Sequence, residues 1–236
     1  MTSHLQTLRQ TIGQLPIVGP IARHIYRAVT PEAVKLQFVS SAQYWEDRYA
    51  LGGTSGAGSY GKLALFKAET INRFVEDHGL RSVIEFGSGD GAQLELARYP
   101  KYTGIDVSAR AIELCRTKFK DDPSKRFILA SSPEANEASA ELAMSLDVIY
   151  HLVEDTIYNE YMTRLVSAAE KFICVYSSNV VRASPAKHVR HRVFTDWFAQ
   201  NAPAWKLMSK VDNPLPEDPE HPDQTSWADF YFFRKM

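Results

Sequence analysis

Apolar and polar positions along the 236-residue chain alternate between helical and extended periods. Helical spacing predicts an amphipathic helix over Gly61 to His78, then a helix over Gln93 to Arg98, one over Ala109 to Phe119 and one over Thr156 to Ala169. Between them lie short apolar runs that predict buried strands: Ser82 to Phe86, Tyr102 to Ile105, Arg126 to Leu129, Leu142 to Leu146 and Phe172 to Tyr176. Strands separated by helices imply an α/β fold with a parallel sheet covered on both faces. The tail breaks this rhythm. A helix near Thr195 to Gln200 precedes two strands, Trp205 to Val211 and Ala228 to Phe233, joined only by a loop rich in proline. Two successive strands without an intervening helix predict an antiparallel addition at one edge of the sheet.

The organisation is one main domain, residues 41–236, behind an N-terminal helical extension, residues 1–40. In the extension, Ile21, Ile25 and Ala28 recur at helical spacing beside Arg23 and Arg27. The segment 15–29 is broken by two prolines and falls well short of the ~20 apolar residues needed to cross a bilayer. It reads as a short helix packed on a neighbour, with weak contact to a membrane surface as the alternative. No secretory cleavage site follows it. Lys and Arg (27) nearly balance Asp and Glu (28), so no global field draws the chain to nucleic acid, and the expected partner is a small molecule. Cys115 and Cys174 fall inside regular elements, which suits two core thiols in a reducing, cytoplasmic setting.

The chemistry concentrates in "VIEFGSGDGAQLEL", where Gly87, Gly89 and Gly91 follow a strand and precede a helical run. Glycine there costs roughly 0.5–1 kcal/mol relative to alanine, so the bare backbone must serve a purpose. A glycine-rich strand-to-helix turn lets a cofactor approach the main chain at the carboxyl edge of a parallel sheet. The next strand leads to Asp106, nineteen residues beyond Gly87, where an acid accepts hydrogen bonds from an adenosine ribose. The spacing is G-x-G-x-G, not the dinucleotide pattern, and Glu85 stands just before it. An acid there would repel a pyrophosphate but suits a cofactor with a cationic centre and an ammonium group. A nicotinamide-dependent oxidoreductase is therefore the weaker alternative, and a non-catalytic binding or assembly protein is the other.

This stretch resembles motif I of the class I S-adenosylmethionine (SAM)-dependent methyltransferases. The resemblance implies a Rossmann-like, seven-stranded sheet with an antiparallel C-terminal hairpin and SAM as cofactor. "SLDVIYHLVED" is similar to the family's segment after the fourth strand, beside the methyl group and its acceptor. "SAQYWEDRYALGGTSGAGSYGKLALFKAE" is similar to the lid of a bacterial subgroup met in polysaccharide and natural-product pathways. The resemblance puts Glu85, Gly87, Ser88, Gly89, Gly91, Gln93, Asp106 and Val107 against the cofactor. It also puts Ser131, where many members carry an acid, against the adenine amino group. The implied reaction is methyl transfer to an oxygen or nitrogen of a small-molecule or saccharide-type acceptor.

Eight of the twelve glycines lie in two segments, motif I and residues 52–61, so residues 41–61 read as a lid. Its Tyr44, Trp45, Arg48 and Tyr60 are expected to close over the cofactor and exclude water. His151 is the expected general base, with an ordinary pKa near neutrality and a place just after the fourth strand. Asp147 is expected to orient the acceptor or the cofactor's amino-acid end. Paired with Asn179 it would also suit Mg²⁺, but no metal is assigned. His188, Arg190, His191 and Arg192 follow the fifth strand and are candidates to hold an anionic or sugar-phosphate acceptor.

Overall fold

The computed structural model describes residues 38–236, so the expected helix and membrane contact within residues 15–29 lie outside the described residues. The elements are α1 (Ser41–Ala50), α2 (Gly61–Asp77), β1 (Val83–Phe86), β2 (Tyr102–Asp106), α3 (Ala109–Lys118) and β3 (Lys125–Leu129). They continue with α4 (Glu134–Glu137), β4 (Ala140–Leu146), α5 (Asp155–Ala168), β5 (Ala169–Ser177), α6 (Phe194–Asn201), β6 (Trp205–Val211) and β7 (Asp229–Lys235). The seven strands form one sheet in the order β3-β2-β1-β4-β5-β7-β6. The first five are parallel, and β7 runs antiparallel between β5 and β6. The C-terminal hairpin thus joins the sheet through its second strand.

Alternation in β7 shows how the two faces are built. Phe230 and Phe232 turn to one side and pack with Phe66 and Phe74 of α2, respectively, whereas Tyr231 and Phe233 turn to the other and meet Phe194 and Phe198 of α6. The central β4 is buried along its whole length, as expected for a parallel strand with helices on both faces. Cys115 and Cys174 are free thiols within this core.

Two stretches differ from the periodicity. Residues Gln93 to Arg98 hold a single 3₁₀ turn over Gln93–Leu96 and no α-helix. Asn72 of α2 fixes the turn by donating to the Leu96 carbonyl at 3.0 Å and accepting from the Arg98 N–H at 2.8 Å, which sends the chain straight to β2. The first half of the expected lid is the helix α1, not loop. Ser40 caps it by accepting from the Gln43 N–H, and Ser41 ties its start to Glu154 through N–H and Oγ at 2.9 and 2.6 Å. That anchor lies over a hundred residues away, beyond the reach of local pattern.

Candidate active site

The carboxyl ends of β1, β2 and β4 open into a cavity of about 340 Å³, within the usual range of roughly 300–1,000 Å³ for small-ligand sites. Gly87 and Gly89 bound it in left-handed conformations, φ 86° and 57°. A Cβ on Gly87 would stand 2.4 Å from Val148 Cγ2, and one on Gly89 2.3 Å from Ser55 Oγ. Both positions therefore require glycine twice over, for the backbone angle and for the neighbour. Gly91 lies off the cavity, against Phe119 and Cys115 of the α3 end.

Asp106 closes β2 with its carboxylate almost fully buried. Oδ2 accepts from the Gly89 N–H at 2.8 Å and Oδ1 from the Ser108 N–H at 2.9 Å. A carboxylate offers about four acceptor positions, so two remain for a diol. Burial raises its pKa from 3.8 to about 6, against the pull of those N–H groups. Glu85 lies deeper, accepts from Tyr102 Oη at 2.6 Å, and is pushed by burial to about 7. Ser88, Gln93, Val107 and Ser131 also face the cavity. Ser88 Oγ and Gln93 Oε1 are buried without a hydrogen-bond partner among the described residues, capacity a polar ligand would satisfy.

Asp147 follows β4 at φ 59°, the one non-glycine positive φ among the described residues. Its Oδ2 meets Lys67 Nζ at 2.7 Å and its Oδ1 accepts from Tyr150 Oη at 2.8 Å. Lys67 belongs to α2 and is nearly fully buried. Asn179, by contrast, is occupied with Thr195 at the start of α6. No cluster of three metal-ligating side chains occurs among the described residues.

His151 also lines the cavity, in a single turn after β4. Its Nδ1 is 2.9 Å from the His188 carbonyl oxygen. A carbonyl only accepts, so Nδ1 carries the proton and Nε2 keeps its lone pair. Burial lowers its pKa to about 4, which holds the ring neutral at physiological pH. Trp45 packs edge-on against it with centroids 4.9 Å apart, and His188 stacks on Tyr44 at 4.4 Å.

The lid residues divide. Trp45 lines the cavity, whereas Tyr44, Arg48 and Tyr60 stand behind the lining. Arg48 donates from Nε to the Thr54 carbonyl at 2.6 Å, and Tyr60 donates to Asp90 Oδ2 at 3.2 Å. Asp90 also accepts from the N–H and Oγ of Ser55, so the glycine loop is latched onto motif I. The segment after β5 lies off the cavity lining as well. Arg190 and Arg192 donate to the Val153 carbonyl and pair with Asp155, while His191 is buried against Ser178. His188 supplies its carbonyl to His151.

Sequence reading passed over Lys67, Ser55, Asp90, Glu160 and Arg164. Lys67 falls on the apolar stripe of Leu63, Ile71 and Phe74, and a cation there was the available signal. Ser55 and Asp90 carry no such mark.

Residues 84–182 match the family model described as a methyltransferase domain. No curated relative matches. Among solved structures, the chain is similar to the N-methyltransferase NodS from Bradyrhizobium japonicum WM9 in complex with S-adenosylhomocysteine: TM-score 0.64, 16% identity, 83% of this chain and 98% of that one. It is similar to magnesium protoporphyrin IX methyltransferase (ChlM) from Synechocystis PCC 6803 with bound SAM: TM-score 0.59, 12% identity, covering 88% and 100%. The CurJ carbon methyltransferase gives a TM-score of 0.53 at 11% identity, covering 73% and 54%. At these identities the likenesses show the fold. With the sheet order they give this chain the class I methyltransferase fold, and residues 84–182 carry its methyltransferase domain.

Proposed function

We propose that the protein transfers a methyl group to an oxygen or nitrogen of a small-molecule acceptor, a saccharide-type ring among those that Trp45 would stack, with His151 as general base. The observation that carries this reading is the open Nε2 of His151 in the same cavity as the motif I backbone and Asp106. When bound, SAM supplies a methyl carbon activated by a sulfonium. Asp106 holds the ribose hydroxyls, and Gln93 Oε1 with the Gly87 backbone accepts from the ammonium group. Lys67, with donors left after Asp147, faces the carboxylate. Positioning then provides most of the acceleration. Asp147, fixed on two sides, orients the acceptor, and His151 Nε2 takes its proton. The lid latched by Ser55 excludes water. Two core thiols suit a reducing cytoplasm.

Thermal unfolding with SAM, S-adenosylhomocysteine, NADH and NADPH tests the cofactor. A ligand at about 100 times its Kd adds ~2.7 kcal/mol, which raises Tm by roughly 5–11 °C for a chain of this length. A shift with SAM and its product alone is expected. Binding without a methylated product from any oxygen or nitrogen acceptor would reduce the protein to a SAM-binding module.

A further inference from the structure

The first turn of α1 meets the turn after β4 at two points. Ser41 binds that turn along its backbone: its N–H donates to Glu154 Oε1 at 2.9 Å, and its Oγ lies 2.7 Å from the His151 carbonyl oxygen and 2.6 Å from Glu154 Oε2. A hydroxyl has one proton, so Oγ donates to one of these at a time, and its lone pair accepts from the Val153 N–H at 3.2 Å. Tyr44 is buried and stacks on His188, with ring centroids 4.4 Å and planes 11° apart. The His188 ring in turn lies nearly parallel to His151, at 5.5 Å and 16°, and its carbonyl oxygen accepts from His151 Nδ1. Trp45 stands edge-on to Tyr44 and to His151, at 5.5 and 4.9 Å. His151 is thus one end of a row of three near-parallel rings, and the other end belongs to α1.

We propose that Tyr44 and Ser41 are positioning residues for His151: Ser41 holds its backbone, and Tyr44, acting through His188, holds its ring with Nδ1 protonated and Nε2 free. An imidazole that turns about its side-chain bonds loses both tautomer and direction, whereas a ring wedged in a stack keeps them. The charged groups around the ring are committed elsewhere. Asp147 pairs with Lys67, Arg48 donates to the Thr54 carbonyl, Glu154 accepts from Ser41, and Arg190 and Arg192 pair with Asp155. Burial is the main cause of the low pKa of His151, about 4 against an ordinary 6.5, so water reaching the ring would show as a rise. Both contacts come from α1, so the base is in order only while that helix is docked, which joins water exclusion to proton removal. This inference rests on the reading of His151 as general base above.

The test is a pH titration of the histidine ring nitrogens by NMR on the isotope-labelled full chain, with the His151 signals assigned by their loss in His151→Gln. In the wild-type protein His151 should show the neutral Nδ1–H form down to about pH 5, above its pKa of about 4. Tyr44→Leu keeps apolar bulk but not the flat ring, and should admit the Nε2–H form and move the midpoint up toward 6.5. Tyr44→Phe keeps the stack and should restore the wild-type titration. Ser41→Ala should shift it in the same direction by less, and it decides should Tyr44→Leu fail to fold. A merely structural contact would leave ring form and midpoint in place in a folded variant. An unchanged His151 titration in Tyr44→Leu, or in Ser41→Ala where that variant stands in, therefore overturns the assignment while the base reading stands. A shift in Tyr44→Phe as large as in Tyr44→Leu overturns it too. Full turnover by His151→Ala overturns the base reading, and with it the catalytic purpose of the stack, whatever the titration shows.

Discussion

The ends of β2 and β4 each present an aspartate to the same cavity, and the two are held in opposite ways. Asp106 is held by backbone N–H groups, chiefly those of Gly89 and Ser108, and burial lifts its pKa to about 6. Asp147 is clamped by a buried lysine and a tyrosine hydroxyl. An acid met by main-chain donors keeps spare lone pairs for a neutral diol. An acid neutralised by Lys67 becomes a rigid part of the wall, next to His151. On the function proposed above, the β2 end would bind and the β4 end would orient.

The largest effect is expected at the β4 end. His151→Ala should lower kcat by ~10²- to 10⁴-fold, the usual contribution of a positioned base, and leave SAM affinity unchanged in a titration. Full activity would return the ring to a packing role. Next, Lys67→Met leaves the Asp147 carboxylate uncompensated. Urea unfolding should show a loss of about 3 kcal/mol, the low end for a broken buried pair, because the Asp147 side chain keeps 20% exposure. Adding Asp147→Asn, which removes the charge while tolerating φ 59° and still accepting from Tyr150, should recover much of the loss, and no recovery would mean the pair is not the cause.

At the β2 end, Asp106→Ala should weaken S-adenosylhomocysteine by ~10- to 150-fold without a comparable loss of stability. Unchanged affinity would sink the ribose assignment. Asp106 also sets a pH dependence. Its pKa rises from 3.8 unfolded to about 6 folded, so between those values the native state holds more protons than the unfolded chain. Its contribution to stability is full below 3.8 and is lost as pH rises through about 6. Binding runs the other way, since the ionised form accepts the diol. Affinity should be about tenfold weaker at pH 5 than at pH 7.5, and Asp106→Asn should flatten that profile. The smallest change belongs to the latch: Ser55→Ala removes hydrogen bonds worth ~1 kcal/mol and should raise the S-adenosylhomocysteine off-rate about fivefold in a stopped-flow experiment.

Sequence by itself determined the alternating strands and helices, the hairpin tail and the turn from Glu85 to Asp106. These depend on local period, on glycine at strand ends and on separation along one βαβ unit, all of which are short-range. It placed His151 just after the fourth strand, but not its tautomer, which the His188 carbonyl sets from thirty-seven residues away. Tertiary structure alone decided that Lys67 on an apolar stripe neutralises Asp147 eighty residues on. It also decided that Ser55 latches onto Asp90, and that the cations from Arg190 to Arg192 brace the Val153 to Asp155 segment, away from the cavity lining. Those pairings join side chains whose neighbours in sequence point elsewhere. A charge's partner is fixed by the packing of helices on the sheet, a property of the whole fold that no local window contains.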